Sequence, residues 1–127
     1  MTKEKKSISS AELKVLDILW KSSPLSASQI VAALEQTESW NSRTIKSLIN
    51  RLMKKKAIGH KQEGNKYLYH PLLKKEEYLK KTSRNFIRRF FEGKISPLVA
   101  HFVKNEKISA EDIQELKNIL EKLESKD

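Results

Sequence analysis

Between Asn41 and Lys56, the stretch NSRTIKSLINRLMKKK gathers side chains that can bond to anions and to flat hydrogen-bonding edges. Arg43, Lys46, Arg51 and Lys54 are cations, and Ser42, Thr44, Ser47 and Asn50 both donate and accept. Arg and Lys suit phosphates and guanine edges, Asn suits adenine, and Ser and Thr suit either. No carboxylate interrupts the stretch. On a helix turning by about 100° per residue, Ile45, Leu48, Ile49 and Leu52 make one apolar stripe. Arg43, Lys46, Ser47, Asn50 and Lys54 then point the other way, with Thr44 and Arg51 on the flanks. A solvated basic surface can look the same, so the rest of the chain has to decide between the two.

Other chemistry is scarce. His60, His70 and His101 have no metal-ligand spacing among themselves or with carboxylates, and there is no cysteine. The three glycines are isolated, so no phosphate-cradling loop is expected. Glu76-Glu77 and Glu111-Asp112 suit helix N-termini better than a catalytic pair. Neither an enzyme nor a metal or cofactor site is expected.

The formal net charge is +10 over 127 residues, which makes a polyanion the first partner to consider, ahead of an acidic membrane or an acidic protein. The charge is uneven: Asn41–Lys66 holds 8 Lys and Arg against the single acid Glu63. The first ten residues, MTKEKKSISS, lack the apolar region of a signal peptide. No apolar run approaches the roughly 18 residues of a membrane span. A cytoplasmic protein with no membrane insertion is expected.

The elements that must position the basic stretch follow from local signals. Ser9-Ser10-Ala11-Glu12 has capping-box spacing and predicts a helix to about Ser22, with Leu13, Leu16, Leu19 and Trp20 inward. Ser23-Pro24 ends it, and Leu25 is a short extended piece. Ser26-Ala27-Ser28-Gln29 is a second capping box, opening a helix to about Gln36. Asn41 is a suitable N-cap for the basic helix, and Trp40 before it is expected in the core. After Lys56 the period changes to two: Ala57–Gln62 and Lys66–Pro71 flank the tip Glu63-Gly64-Asn65. Helix, helix, basic helix and hairpin, in that order, is the plan of a winged helix-turn-helix. In that plan Lys54-Lys55-Lys56, Lys61 and Lys66 face phosphates.

From Lys74 to about Glu92 a long helix is predicted, with Gly93 as its C-cap. Ser96-Pro97 starts another, and Ser109 caps the last. Phe86, Phe90, Leu98 and Phe102, and the seam of Ile113, Leu116, Leu120 and Leu123, are more apolar surface than three short helices can hide. The predicted class is therefore mainly α with a small β-hairpin wing: a winged helix-turn-helix over 1–73, then a three-helix dimerisation region over 74–127. A monomer with these helices folded back on the winged helix is the alternative.

With these elements in place, the chain resembles the penicillinase-repressor family, the BlaI/MecI type. The matching stretches are Ile8 to Glu12, Trp40 with Thr44-Ile45, Leu48-Ile49 and Arg51-Leu52, then Lys81-Thr82-Ser83 with Asn85-Phe86-Ile87. Leu98-Val99 with Phe102-Val103, and Glu115-Leu116 with Asn118-Ile119-Leu120, complete them. The resemblance implies a homodimeric winged-helix repressor on a palindromic operator in double-stranded DNA. It puts Thr44 and Lys46 near bases, with Lys46 where the family often has Arg. It also implies induction by proteolysis, through a membrane sensor-protease or a downstream protease. The family's Asn-Phe scissile bond corresponds to His101–Phe102. The cysteine cluster of related copper-responsive repressors is lacking. The rival readings are a winged-helix repressor of another regulon, a basic module that meets an acidic protein, and an RNA-binding protein.

Overall fold

The computed structural model describes residues 7–125. Six helices and a three-stranded antiparallel sheet follow the order α1 (Ser10–Lys21), β1 (Leu25–Ser26), α2 (Ala27–Glu35), α3 (Ser42–Lys54), β2 (Ile58–Glu63), β3 (Lys66–Pro71), α4 (Lys75–Phe91), α5 (Ile95–Asn105) and α6 (Ala110–Ser125). The described residues form two compact units that divide between Leu79 and Lys80, within the span of α4.

Both predicted capping boxes are present. Ser9 accepts from the Glu12 amide at 3.1 Å while the Glu12 carboxylate accepts from the Ser9 amide at 2.9 Å. Ser26 and Gln29 repeat the exchange at the head of α2. Each satisfies two donors that a helix start otherwise leaves free.

The first unit's core is the meeting of three helical stripes. Val15, Leu16 and Leu19 of α1, Ile30, Val31 and Leu34 of α2, and Ile45, Leu48, Ile49 and Leu52 of α3 are buried with Ala57 and Ile58. Burying each large aliphatic side chain contributes about 1.5–3 kcal/mol. The α1 stripe differs from expectation. Val15 takes a core place, whereas Leu13 and Trp20 are only partly buried. Trp20 instead donates its indole N–H to the Leu73 carbonyl at 2.8 Å and packs against Tyr78, with ring centroids 5.8 Å apart. It thus ties α1 to the start of α4. Trp20→Phe keeps the ring but strands that carbonyl, so we expect a loss of about 1–2 kcal/mol in urea unfolding. An unchanged midpoint would show that water replaces the bond without cost.

Leu25 and Ser26 are more than an isolated extended piece: β1 pairs with β3, giving the order β1-β3-β2. The wing is tighter than predicted, because Glu63 pairs with Lys66 and only Gly64 and Asn65 turn. Gly64 has φ +62°, which a residue without Cβ adopts freely.

In the second unit, α5 begins at Ile95, one residue before the predicted start, and its N-cap Lys94 makes no side-chain cap. Ser109 caps α6 as expected, accepting from the Asp112 amide at 3.0 Å. The left-handed turn after α4 takes two residues, Glu92 at φ +53° and Gly93 at φ +80°. Among the described residues, none from 80 to 125 is buried. Phe86, Phe90, Phe102, Ile113, Leu116, Leu120 and Leu123 are all exposed, and Leu98 is half-buried.

Candidate nucleic-acid interface

The basic face is built on α3. Asn41 caps the helix, its Oδ1 accepting from the Thr44 amide at 2.9 Å. The buried stripe Ile45, Leu48, Ile49 and Leu52 fixes the helix's rotation about its own axis. As a result Ser42, Arg43, Thr44, Lys46, Ser47, Asn50, Arg51 and Lys54 are all exposed. They cover the outer side and flanks of a single helix about three and a half turns long. The first turn of α3 has no acidic residue, unlike those of α1, α4 and α6. The positive end of its dipole is therefore not neutralised by its own side chains.

Lys61 and Lys66 are exposed on the wing, on β2 and β3. Lys61 lies opposite Leu68, and Lys66 opposite Glu63. Tyr67 and Tyr69 flank His60, with ring centroids 4.6 and 6.0 Å from it. Among the described residues, no group of three or more His, Cys, Asp and Glu gathers where a metal could be held.

Lys55 departs from expectation. Unlike its neighbours Lys54 and Lys56, it does not face outward towards a phosphate, and its ammonium turns inward. It binds the Glu12 carboxylate at 2.5 Å and the Ser7 carbonyl at 2.8 Å. Glu12 is 1% exposed. Burial alone would raise its carboxyl pKa. The hydrogen bond and charge of Lys55, with the bonds from Ser9, outweigh burial and hold it below the ordinary glutamate value. The sequence did contain a signal. Glu12, Leu16 and Leu19 share one helical face, so the capping acid lies on the buried stripe and needs a cation. Lys54 and Lys56 remain exposed. Lys56 holds φ +62° where α3 ends, and the Ala57 amide donates back to the Leu52 carbonyl at 2.9 Å. That is a Schellman closure made without glycine.

Comparison with known proteins agrees with this architecture. The family model described as "Penicillinase repressor" matches residues 8–122. A penicillinase repressor from Bacillus licheniformis is 36% identical over 114 residues, covering 90% of this chain and 89% of that protein. The methicillin resistance regulatory protein MecI of Staphylococcus aureus (strain N315) is 38% identical over 115 residues, 91% of this chain and 94% of its own. The solution structure of monomeric BlaI from Bacillus licheniformis in complex with the blaP half-operator superposes with a TM-score of 0.53 at 34% identity. It covers 61% of this chain and 94% of that one. The chain belongs to the penicillinase-repressor family, whose members are winged-helix DNA-binding transcriptional repressors and not enzymes.

Proposed function

We propose that the protein is a homodimeric repressor of a β-lactam-resistance-type operon, binding a palindromic operator in double-stranded DNA. The observation that carries this reading is the face of α3: eight exposed polar or cationic residues, no carboxylate, and a rotation fixed by the core. In this reading α3 of each subunit enters the major groove of one half-site. Arg43, Thr44, Lys46, Ser47 and Asn50 approach base edges, while Ser42, Arg51, Lys54, Lys61 and Lys66 hold backbone phosphates. Lys46 donates from a single ammonium and cannot form the planar two-point contact that Arg makes with guanine. Occupancy then excludes RNA polymerase from the promoter. The apolar groups left exposed on α4, α5 and α6 support the dimer, because a twofold protein matches a twofold site. A regulator of this kind acts in the cytoplasm. Among the described residues, no helix is long and apolar enough to cross a membrane.

The test is a fluorescence anisotropy titration on the palindrome upstream of the gene and on a scrambled duplex. We expect a preference of about tenfold or more for the palindrome, with two chains per site. Equal binding to both duplexes would reduce the protein to a general polyanion binder.

Release by proteolysis is part of the same proposal, with a membrane sensor-protease or a downstream protease as partner. The candidate bond, His101–Phe102, lies within α5, and both side chains are exposed. The His101 carbonyl accepts from the Asn105 side chain at 3.0 Å. Cutting there requires α5 to open locally and would separate α6 from the DNA-binding unit. We expect mass spectrometry of β-lactam-treated cells to find fragments 1–101 and 102–127. An intact chain during full induction would exclude this route and favour a repressor released by another signal.

A further inference from the structure

The peptide bond between His101 and Phe102 carries a restraint that a helix alone does not supply. In an α-helix each carbonyl accepts one backbone N–H and keeps a second lone pair free. At His101 that lone pair is engaged as well: the Asn105 side-chain amide donates to the His101 carbonyl at 3.0 Å. The same nitrogen lies 3.2 Å from Nδ1 of the His101 ring. An amide nitrogen carries two hydrogens, so one serves the carbonyl and the other Nδ1, in the tautomer with the ring proton on Nε2. The ring is also boxed in. Its centroid lies 6.4 Å from that of Phe91 and 5.7 Å from that of Phe102, edge-on to the latter. Asn105, the last residue of α5, thus holds both the carbonyl and the side chain of His101.

The next bond along is a contrast within the same turn. The Phe102 carbonyl accepts from the Glu106 amide at 2.9 Å. An ionised glutamate has no side-chain N–H to add to it. The bonds His101–Phe102 and Phe102–Val103 both precede exposed apolar residues, and they differ in the clamp.

Hydrolysis adds water across a peptide bond, hydroxyl to the carbonyl carbon and hydrogen to the leaving nitrogen. A protease promotes it by drawing on the carbonyl oxygen with N–H donors or a metal ion, and it grips the flanking side chains. At His101 the carbonyl and the side chain are both occupied by Asn105. Both bonds must be broken when the helix opens locally, so fewer chains stand open at any moment. Resting on the release-by-proteolysis reading above, we infer that Asn105 guards the His101–Phe102 bond and makes it slower to cut than the helix alone would.

The probe is thermolysin, a zinc protease that cuts ahead of large apolar side chains and so can take either bond. It is applied briefly to the full-length chain and to Asn105→Ala, and mass spectrometry reads the rate at each bond. Alanine is the best helix former, so a purely structural role for Asn105 would give equal or slower cutting at both bonds. The guard gives a different pattern. We expect the rate at His101–Phe102, relative to Phe102–Val103, to rise about fivefold, the equivalent of one neutral hydrogen bond. Asn105→Asp keeps the shape but has no side-chain N–H when ionised, and it is expected to raise the ratio similarly. An unchanged ratio, whether the two rates rise or fall together, would overturn the guard. So would no cut at His101–Phe102 in either variant, because something other than Asn105 would then protect the bond. The assay needs no inducing signal, which separates it from the parent reading. An intact chain in induced cells would remove release by proteolysis and leave the thermolysin result standing. A cut chain in cells with an unchanged ratio would remove the guard and leave release standing.

Discussion

Raising the salt from about 50 to about 200 mM is expected to weaken operator binding by three to five decades, if six to ten phosphates are neutralised per complex. The cations available in each subunit are Arg43, Lys46, Arg51, Lys54, Lys56, Lys61 and Lys66, all exposed on α3, just after it, or on the wing. Each that touches a phosphate displaces condensed counterions, so the slope of log affinity against log salt counts such contacts. Substituting one that holds a phosphate removes a contact from each subunit and should lower the slope by about two. Lys55 is the internal control, being sequence neighbour to two of these cations but committed to Glu12. Lys54→Met is expected to flatten the slope, and Lys55→Met to leave it unchanged in whatever protein remains folded. A shallow slope for the unmodified chain would show that its basic surface does not lie on DNA.

The same Lys55→Met substitution carries the largest expected cost in stability. It removes the cation from a carboxylate that is 1% exposed. Breaking a buried pair from one side typically costs about 3–5 kcal/mol. The Lys55 side chain is 21% exposed, so the lower end, about 3 kcal/mol, is expected. The pH dependence has a definite sign. Glu12 has its carboxyl pKa depressed in the folded chain, so the pair's contribution is present above the unfolded-state value and fades as pH falls through the folded one. Without Lys55, burial is opposed by the Ser9 bonds alone and the carboxyl protonates more readily. The gap between variant and parent should therefore be widest near pH 7 and shrink towards about pH 4. Urea unfolding at both values measures it. A gap that stays constant with pH would mean that the loss is one of packing alone.

These two residues also show where reading the sequence stops. The capping boxes at Ser9 and Ser26 and the Asn41 cap were legible because each joins residues three apart, and helix geometry alone decides them. The stripe of α3 was legible for the same reason. Lys55 and Glu12 are 43 residues apart, and only tertiary packing chooses between an inward and an outward ammonium at the end of a helix. The bond from Trp20 to Leu73 spans 53 residues and was equally hidden. The pairing of Leu25 with Tyr69 turned a short extended piece into a third strand, which its two residues could not announce. Lys56 adopts a left-handed conformation with no glycine to signal it, because the core around Ala57 and Ile58 imposes the turn. In the candidate interface the face was visible, but its one inward-turning member was not.

The way α3 is held has a consequence for discrimination. Asn41 fixes its first turn, four buried side chains fix its rotation, and the Glu12–Lys55 pair fixes its far end. Little backbone freedom remains to be lost on association, so the entropic cost falls mainly on the polar side chains. In the proposed complex, a helix held this way would resist tilting or sliding to accommodate a wrong base. A mismatch must then be met by side chains alone, each with a short reach, and donors that miss their acceptors stay desolvated and unpaired. In the proposed complex, rigidity laid down in the hydrophobic core would be expressed as sequence selectivity at the surface.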